Sequence, residues 1–241
     1  MRMMVAASAI GTTIEWYDFL IYSTAASLVL NKLFFPTHDP LVGTLLSIGT
    51  IGVGFFARPI GAIILSHFGD RLGRKSMLIL TLVSMGIATM VIGLLPTYAS
   101  IGVFAPILLV VCRLVQGIAV GGEWGGAVLM ATEHSPAHRR GFYGSMVQIG
   151  FPLGLALGTA SFFALGSLSD AQFMSWGWRL PFIASAVLVV VGILIRMRIE
   201  ETPDFKRVLD EGKVARFPVI ETILNHPKDL VIGLGARITE I

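Results

Sequence analysis

The sequence predicts an all-α protein that crosses a membrane several times, on three observations. Of its 241 residues, 54% are hydrophobic and 14% charged, with a mean hydropathy of +0.79. A soluble domain carries about 25% charge, so this chain lacks the polar residues to cover a water-facing surface. The apolar residues fall into six runs near the ~20 residues needed to cross a hydrocarbon core. The charges sit between those runs, in alternating basic and nearly neutral connections. Such a composition excludes disorder. The 27 glycines follow no triplet period, and the single cysteine, Cys112, excludes an intrachain disulfide. The net charge of +3 reflects the placement of the connections, so the expected partner is a lipid bilayer and no nucleic acid is implied.

The six predicted spans are 5–30, 41–65, 76–95, 101–130, 142–165 and 179–196. The first begins too polar for a signal peptide, because Glu15 and Asp18 stand inside it. The fourth carries Gly117, Gly121 and Gly125 at four-residue spacing, and the fifth Gly150, Gly154 and Gly158. Such stripes let helices approach closely in lipid. An alternative for the fifth is a flexible point at Gly150, Pro152 and Gly154. Residues 1–200 therefore form the membrane bundle. Residues 201–228 are charged, and Phe205, Val208 and Leu209 share one face, which predicts an amphipathic linker helix. Residues 229–241 start another apolar run, too short to span.

Orientation follows from Lys and Arg. One set of connections holds Arg2, Arg71, Arg74, Lys75, Arg139, Arg140, Arg196, Arg198, Lys206, Arg207, Lys213, Arg216 and Lys228. The other holds Lys32 and Arg179, with Trp176 and Trp178 suited to an interfacial belt. The N-terminus and the segment after Arg196 are therefore expected on the cytoplasmic side.

Charges inside spans are costly and point to function. Glu15, Asp18 and Tyr22 share a face of the first helix, while Arg113, Gln116 and Glu123 lie along the fourth. At 1.5 Å per residue, Glu15 is about 15 Å and Asp18 about 20 Å from the cytoplasmic end of its span. Glu123 is about 10 Å and Arg113 about 25 Å deep. Facing each other, these groups make a polar column. Its simplest role is a buried ion pair locking the bundle. Four ionisable groups exceed what one lock requires, which favours a site for a polar solute, a proton, or both. In that reading Arg113 faces Asp18, and Glu15 and Glu123 lie on the inward proton path. Arg58 lies nearer its span end and can snorkel. No nucleophile elbow, phosphate loop or metal spacing points to an enzyme, a cofactor or a metal. His134 and His138 flank Pro136 in a connection and read as solvated.

Gly69-Asp70-Arg71-Leu72-Gly73-Arg74-Lys75 resembles the signature loop between the second and third helices of the major facilitator superfamily, with Ser66 where the signature has glycine. Its Asp70, Arg71, Gly73, Arg74 and Lys75 are the candidate cytoplasmic gating residues. Gly11-Thr12-Thr13-Ile14-Glu15-Trp16-Tyr17-Asp18-Phe19 resembles the first helix of its metabolite:proton symporters. Arg113-Leu114-Val115-Gln116-Gly117 and Gly121-Gly122-Glu123-Trp124-Gly125-Gly126 are similar to their fourth helix. Trp176 to Phe182 and Glu200 to Phe205 are similar to their sixth helix and the segment after it. The resemblance implies a six-helix N-terminal half of a twelve-helix fold, each half built as three plus three helices. Residues 229–241 then begin a seventh helix, and the partner is a C-terminal half outside this chain, cropped or lost. It further implies proton-coupled symport of a small polar metabolite, an organic acid or a zwitterionic osmolyte, across the plasma (inner) membrane. A proton-independent facilitator and a non-transporting remnant are the alternatives. Reporter fusions test the topology: fusions at Arg74 and Arg140 should read as cytoplasmic, and those at Asp39 and Asp170 as external. An external signal at Arg74 would overturn it.

Overall fold

The structure, a computed structural model, describes residues 2–37 and 39–202, together with 205, 207, 210, 228 and 232. The described residues form helices and short connections, with no strand among them. The first helix, α1, spans Arg2–Ala25 and continues through a π-helical turn, Ala26–Leu30, to Leu33. Then come α2 (Pro40–Leu72), α3 (Arg74–Leu94), α4 (Phe104–Glu133), α5 (Gly150–Ala164) and α6 (Leu180–Met197). The predicted linker at 201–228 and the run at 229–241 lie outside the described residues, apart from residues 201–202 and the five single positions named.

Among the described residues, five helical segments are long and apolar enough to cross a membrane: α2, α3, α4, Ala137–Ser167 with α5 inside it, and Gly177–Met197 with α6. The chain is a multi-pass membrane protein. The first predicted span is the one that composition underrates. Its Ser8, Thr12, Thr13, Glu15 and Asp18 are all buried, because α1 packs on α4, α5 and α6. Polar residues turned into a bundle meet other side chains instead of lipid, so they do not need to be apolar.

Boundaries moved where local chemistry decides them. The Asp39 side chain accepts a bond from the Leu41 amide at 2.8 Å and Pro40 opens α2, a favoured start. The helix then runs past the predicted end at 65 to Leu72. Asp70 and Arg71 thus stand in its last turn, and the expected loop shrinks to Gly73. That residue has φ +100°, which glycine tolerates and which stops the helix. The fifth run is broken by a 3-10 turn, Val147–Ile149, just before Gly150. Trp178, expected in an interfacial belt, is fully buried. It packs edge-to-face on Phe34 and Phe182, with the Arg179 guanidinium over its ring.

The principal helix contacts are α2 with α4, α1 with α5, α3 with α4, α1 with α6, α3 with α6, and α1 with α4. Exchanging α1 with α4, α2 with α5 and α3 with α6 turns this set into itself. That is the contact pattern a three-plus-three repeat requires. The glycine stripes make the two closest pairs. A methyl group on Gly117 would meet the Gly54 carbonyl, and one on Gly121 the backbone of Arg58 and Ala62. Gly150, Gly154 and Gly158 meet α1 at Thr12–Thr13, Trp16–Tyr17 and Leu20. Gly125 differs from the expected stripe, because nothing lies near the place its side chain would take.

The two classes of glycine should separate in thermal unfolding of the purified chain. Gly121→Ala should destabilise by about 1–3 kcal/mol through overpacking against backbone. Gly125→Ala should leave the unfolding temperature unchanged or slightly raised. Equal effects would contradict the packing.

Candidate functional site

Residues 11, 15, 18 and 22 of α1 step along one helical face, each about one turn beyond the last. The other helices meet that face at four levels.

At the first level, Gly11 lies against the Glu123 carboxylate of α4 and the Arg196 guanidinium of α6. These two form a bidentate ion pair. Thr81 of α3 donates to Glu123 Oε2 at 2.6 Å, and Arg196 also donates to the Leu78 carbonyl. Glu123 is 1% exposed and Arg196 3%. A side chain at position 11 would occupy the volume of the pair, which accounts for the glycine. By its place at a span end Arg196 reads as a flanking charge, and the structure instead buries it in this pair. A cation at a span end is read as topology until a buried acid on a neighbouring helix is known.

At the second level, Glu15 pairs with Arg58 of α2 at 3.5 Å, and Arg58 lies 4.4 Å from the Phe55 ring centre. Arg58 therefore has a partner inside the bundle, although 32% of its side chain remains exposed. At the third level, Asp18 Oδ2 accepts from Thr89 of α3 at 2.6 Å. Gln116 Nε2 donates to the same Thr89 oxygen at 2.7 Å, and Arg113 Nη1 donates to Gln116 Oε1 at 2.8 Å. At the fourth, Arg113 sits 4.0 Å above the Tyr22 ring, and the Tyr22 hydroxyl bonds to Thr50.

The expected depth order is found: Glu123 lies at the level of Gly11, the two acids come next, and Arg113 is at the level of Tyr22. The expected direct facing of Arg113 and Asp18 is not found. Two polar side chains stand between them, and one of these, Thr89, carried no signal in the sequence. A threonine in an apolar run is unremarkable until a buried acid is placed beside it. Thr81 was missed for the same reason.

Glu15, Asp18, Arg58, Arg113 and Gln116 line one cleft, with Phe19 and Phe55 among its apolar walls. Glu123 is sealed away from it by its own pair. Glu15 Oε2, Asp18 Oδ1 and Arg113 Nε are buried with no hydrogen-bond partner among the described residues. Unpartnered buried polar atoms are costly. Here they cluster on opposite charges around a single cleft, an arrangement able to bind a polar solute or a proton.

At the end that carries Gly73, a second polar cluster ties α2, α3 and α4 to the segment after α6. Arg74 pairs with Glu133 in the last turn of α4 and lies 3.9 Å from Asp70. The Glu201 carboxylate accepts from the backbone amides of Arg74 and Lys75 at 3.2 and 3.1 Å, at the positive end of α3. Lys75 Nζ donates to the Met197 carbonyl at 2.9 Å. Asp70, Arg74 and Lys75 thus belong to one network and Arg71 stands beside it in the last turn of α2. Glu133 was not among the expected residues, and Glu201 was known only as part of a motif.

Residues 3–216 match the profile of the family described as Sugar (and other) transporter. The chain belongs to that family. It is 49% identical over 231 residues to the inner membrane metabolite transport protein YhjE of Escherichia coli K12, covering 95% of this chain and 52% of that protein. It is 46% identical to the shikimate transporter of the same organism, covering 100% and 56%. With the Escherichia coli proline/betaine transporter it shares 39% identity, covering 88% and 42%. The chain spans about half the length of these curated relatives. Among solved structures, a partially occluded inward-open conformation of the Escherichia coli xylose transporter XylE superposes with TM-score 0.76 at 18% identity, covering 95% of this chain and 60% of that one. The proton:xylose symporter XylE bound to 6-bromo-6-deoxy-D-glucose gives 0.76 at 19%, covering 88% and 46%. At such identity the likeness concerns the fold.

The buried ion pairs should rank by burial in thermal unfolding. Arg196→Ala, which strands Glu123, should destabilise by about 3–5 kcal/mol. Arg58→Ala should destabilise distinctly less, since Arg58 is partly exposed and its single 3.5 Å contact with Glu15 is longer than those of the bidentate Arg196 pair. An Arg196→Ala protein as stable as the unaltered chain would remove the lock.

Proposed function

We propose that this chain is the N-terminal half of a twelve-helix secondary active carrier that moves a small polar metabolite together with protons. The observation that carries the reading is Asp18. One of its carboxylate oxygens is held by a hydroxyl while the other has no partner among the described residues, and it lines a cleft shared with Glu15, Arg58 and Arg113. An ionised carboxylate only accepts hydrogen bonds, whereas a protonated one also donates. Proton occupancy therefore changes what the cleft offers a solute and how α1 sits against α4. Two acids and two cations in one cleft suit a solute bearing a carboxylate, with or without a cationic group. The named substrates of two relatives, shikimate and proline or betaine, fall in those classes. Glu15 and Glu123 lie toward the end we place in the cytoplasm, on the inward side of Asp18. The Asp70–Arg74–Glu133 cluster with Glu201 and Lys75 ties the helices together at that end.

A proton-independent facilitator on the same scaffold is the second reading, favoured if the unpartnered oxygens serve the solute alone. The two separate in vesicles containing this chain extended to the length of its relatives, supplied with labelled shikimate, proline and betaine with and without a proton gradient. Accumulation of one of the three with the gradient, and equilibration without it, supports symport. Gradient-independent uptake supports the facilitator, and uptake of none counts against both.

Asp18→Asn should reduce gradient-driven accumulation to equilibration while sparing solute exchange, which needs no proton release. Arg113→Ala should impair both. Full accumulation by Asp18→Asn, Glu15→Gln and Glu123→Gln would make the polar column structural. The 241-residue chain alone should accumulate nothing in proteoliposomes, because alternating access needs two units rocking about a central site.

A further inference from the structure

We propose that Thr89 is the positioning residue of the proton site: its hydroxyl occupies Asp18 Oδ2, leaving Oδ1 as the atom that takes the proton, and links that carboxylate to Arg113 through Gln116. The proposal rests on the carrier reading and assigns the atom at which coupling occurs.

Thr89 is fully buried, on a helix that has no charged residue between Lys75 and its end at Leu94. Its oxygen meets three groups: Asp18 Oδ2 at 2.6 Å, Gln116 Nε2 at 2.7 Å and the Met85 carbonyl at 3.0 Å. A hydroxyl has one proton to give and two lone pairs to accept with. Gln116 donates into one lone pair. The proton can go to Asp18 or to Met85, and an ionised carboxylate is the stronger and nearer acceptor. Gln116 is fixed in turn, because its Oε1 already accepts from Arg113 and its amide is thereby directed at Thr89. The chain Arg113–Gln116–Thr89–Asp18 therefore has one consistent direction of donation, running from the cation to the acid.

The consequence lies at Asp18. Oδ2 is engaged, and Oδ1 is buried without a partner among the described residues. A proton delivered from hydronium forms an O–H bond at Oδ1 and leaves water behind. Oδ2, now a carbonyl oxygen, keeps accepting from Thr89. Release is the reverse. The carboxyl group therefore loads and unloads without turning, and its state is passed to α3 and, through Gln116, to α4. The charged groups around it are Glu15 on its own helix and Arg113 on α4, with Arg58 of α2 lining the same cleft. Helix α3 contributes the hydroxyl.

The test uses the extended carrier and whichever of shikimate, proline or betaine it accumulates. Thr89→Val keeps the branched shape and removes the hydroxyl. It should lower gradient-driven accumulation about tenfold, the scale of a lost hydrogen bond to a charged group, while exchange falls less than about threefold. Thr89→Ser restores the hydroxyl and should return accumulation to within about twofold of the unaltered carrier. Membrane abundance is measured for each. If Thr89→Val is absent from the membrane, Gln116→Met cuts the same chain at its next bond and should give the same split. Full accumulation by Thr89→Val, or by Gln116→Met where that stands in, overturns the assignment, and so does failure of an abundant Thr89→Ser. Asp18→Asn separates the layers. Full accumulation by that variant defeats the coupling role of Asp18 and Thr89's role with it. Loss in Asp18→Asn with full accumulation in Thr89→Val defeats Thr89 alone.

Discussion

An ionisable side chain inside a membrane bundle must be met by a partner at its own depth, since low dielectric penalises an unmatched charge heavily. Helix α1 sets those depths. Its polar face advances one turn at a time through Gly11, Glu15, Asp18 and Tyr22, and the other helices are arranged to answer it. Arg196 and Glu123 answer at the first level, Arg58 at the second, Thr89 and Gln116 at the third, Arg113 and Thr50 at the fourth. A slide of α1 by one turn would leave several of these groups unmatched together. The register of the bundle is thus held by polar contacts, in a solvent where apolar burial gives helices no preference.

Small residues make those contacts reachable. Gly150, Gly154 and Gly158 bring α5 onto the back of α1, while Gly117 and Gly121 bring α4 onto α2. Gly11 gives up its side chain so that the Glu123–Arg196 pair can stand beside α1. The four levels then differ in character. The first is sealed and fully paired, which suits a lock. The second and third keep unpartnered oxygens beside a cleft, which suits exchange of a ligand. On the proposed reading, one column combines the two roles that the sequence posed as alternatives, at different depths.

Much of this was legible in the sequence. Apolar runs gave the spans, and the spacing of Glu15, Asp18, Arg113 and Glu123 gave a shared polar column in the correct depth order. Position along a helix determines depth and face, and those are the quantities that sequence carries. It does not determine the neighbour, and the misses follow from that. Arg196 read as a flanking charge because its acid lies 73 residues away on another helix. Thr81 and Thr89 read as filler because a hydroxyl acquires a role only from the carboxylate beside it. Trp178 read as interfacial because its burial depends on Phe34 and Phe182. The α2 boundary moved because Gly73, not the charge cluster before it, is what stops the helix.

In the proposed mechanism Asp18 carries a proton in step with the solute. The most direct test is solute-driven proton movement in proteoliposomes containing the extended carrier, with no gradient imposed at the start. Adding the accepted solute outside should make the external medium more alkaline as protons enter with it, and the signal should vanish in Asp18→Asn while labelled solute still exchanges. Solute entry with no alkalinisation in the unaltered carrier, or an undiminished signal in Asp18→Asn, would contradict the account.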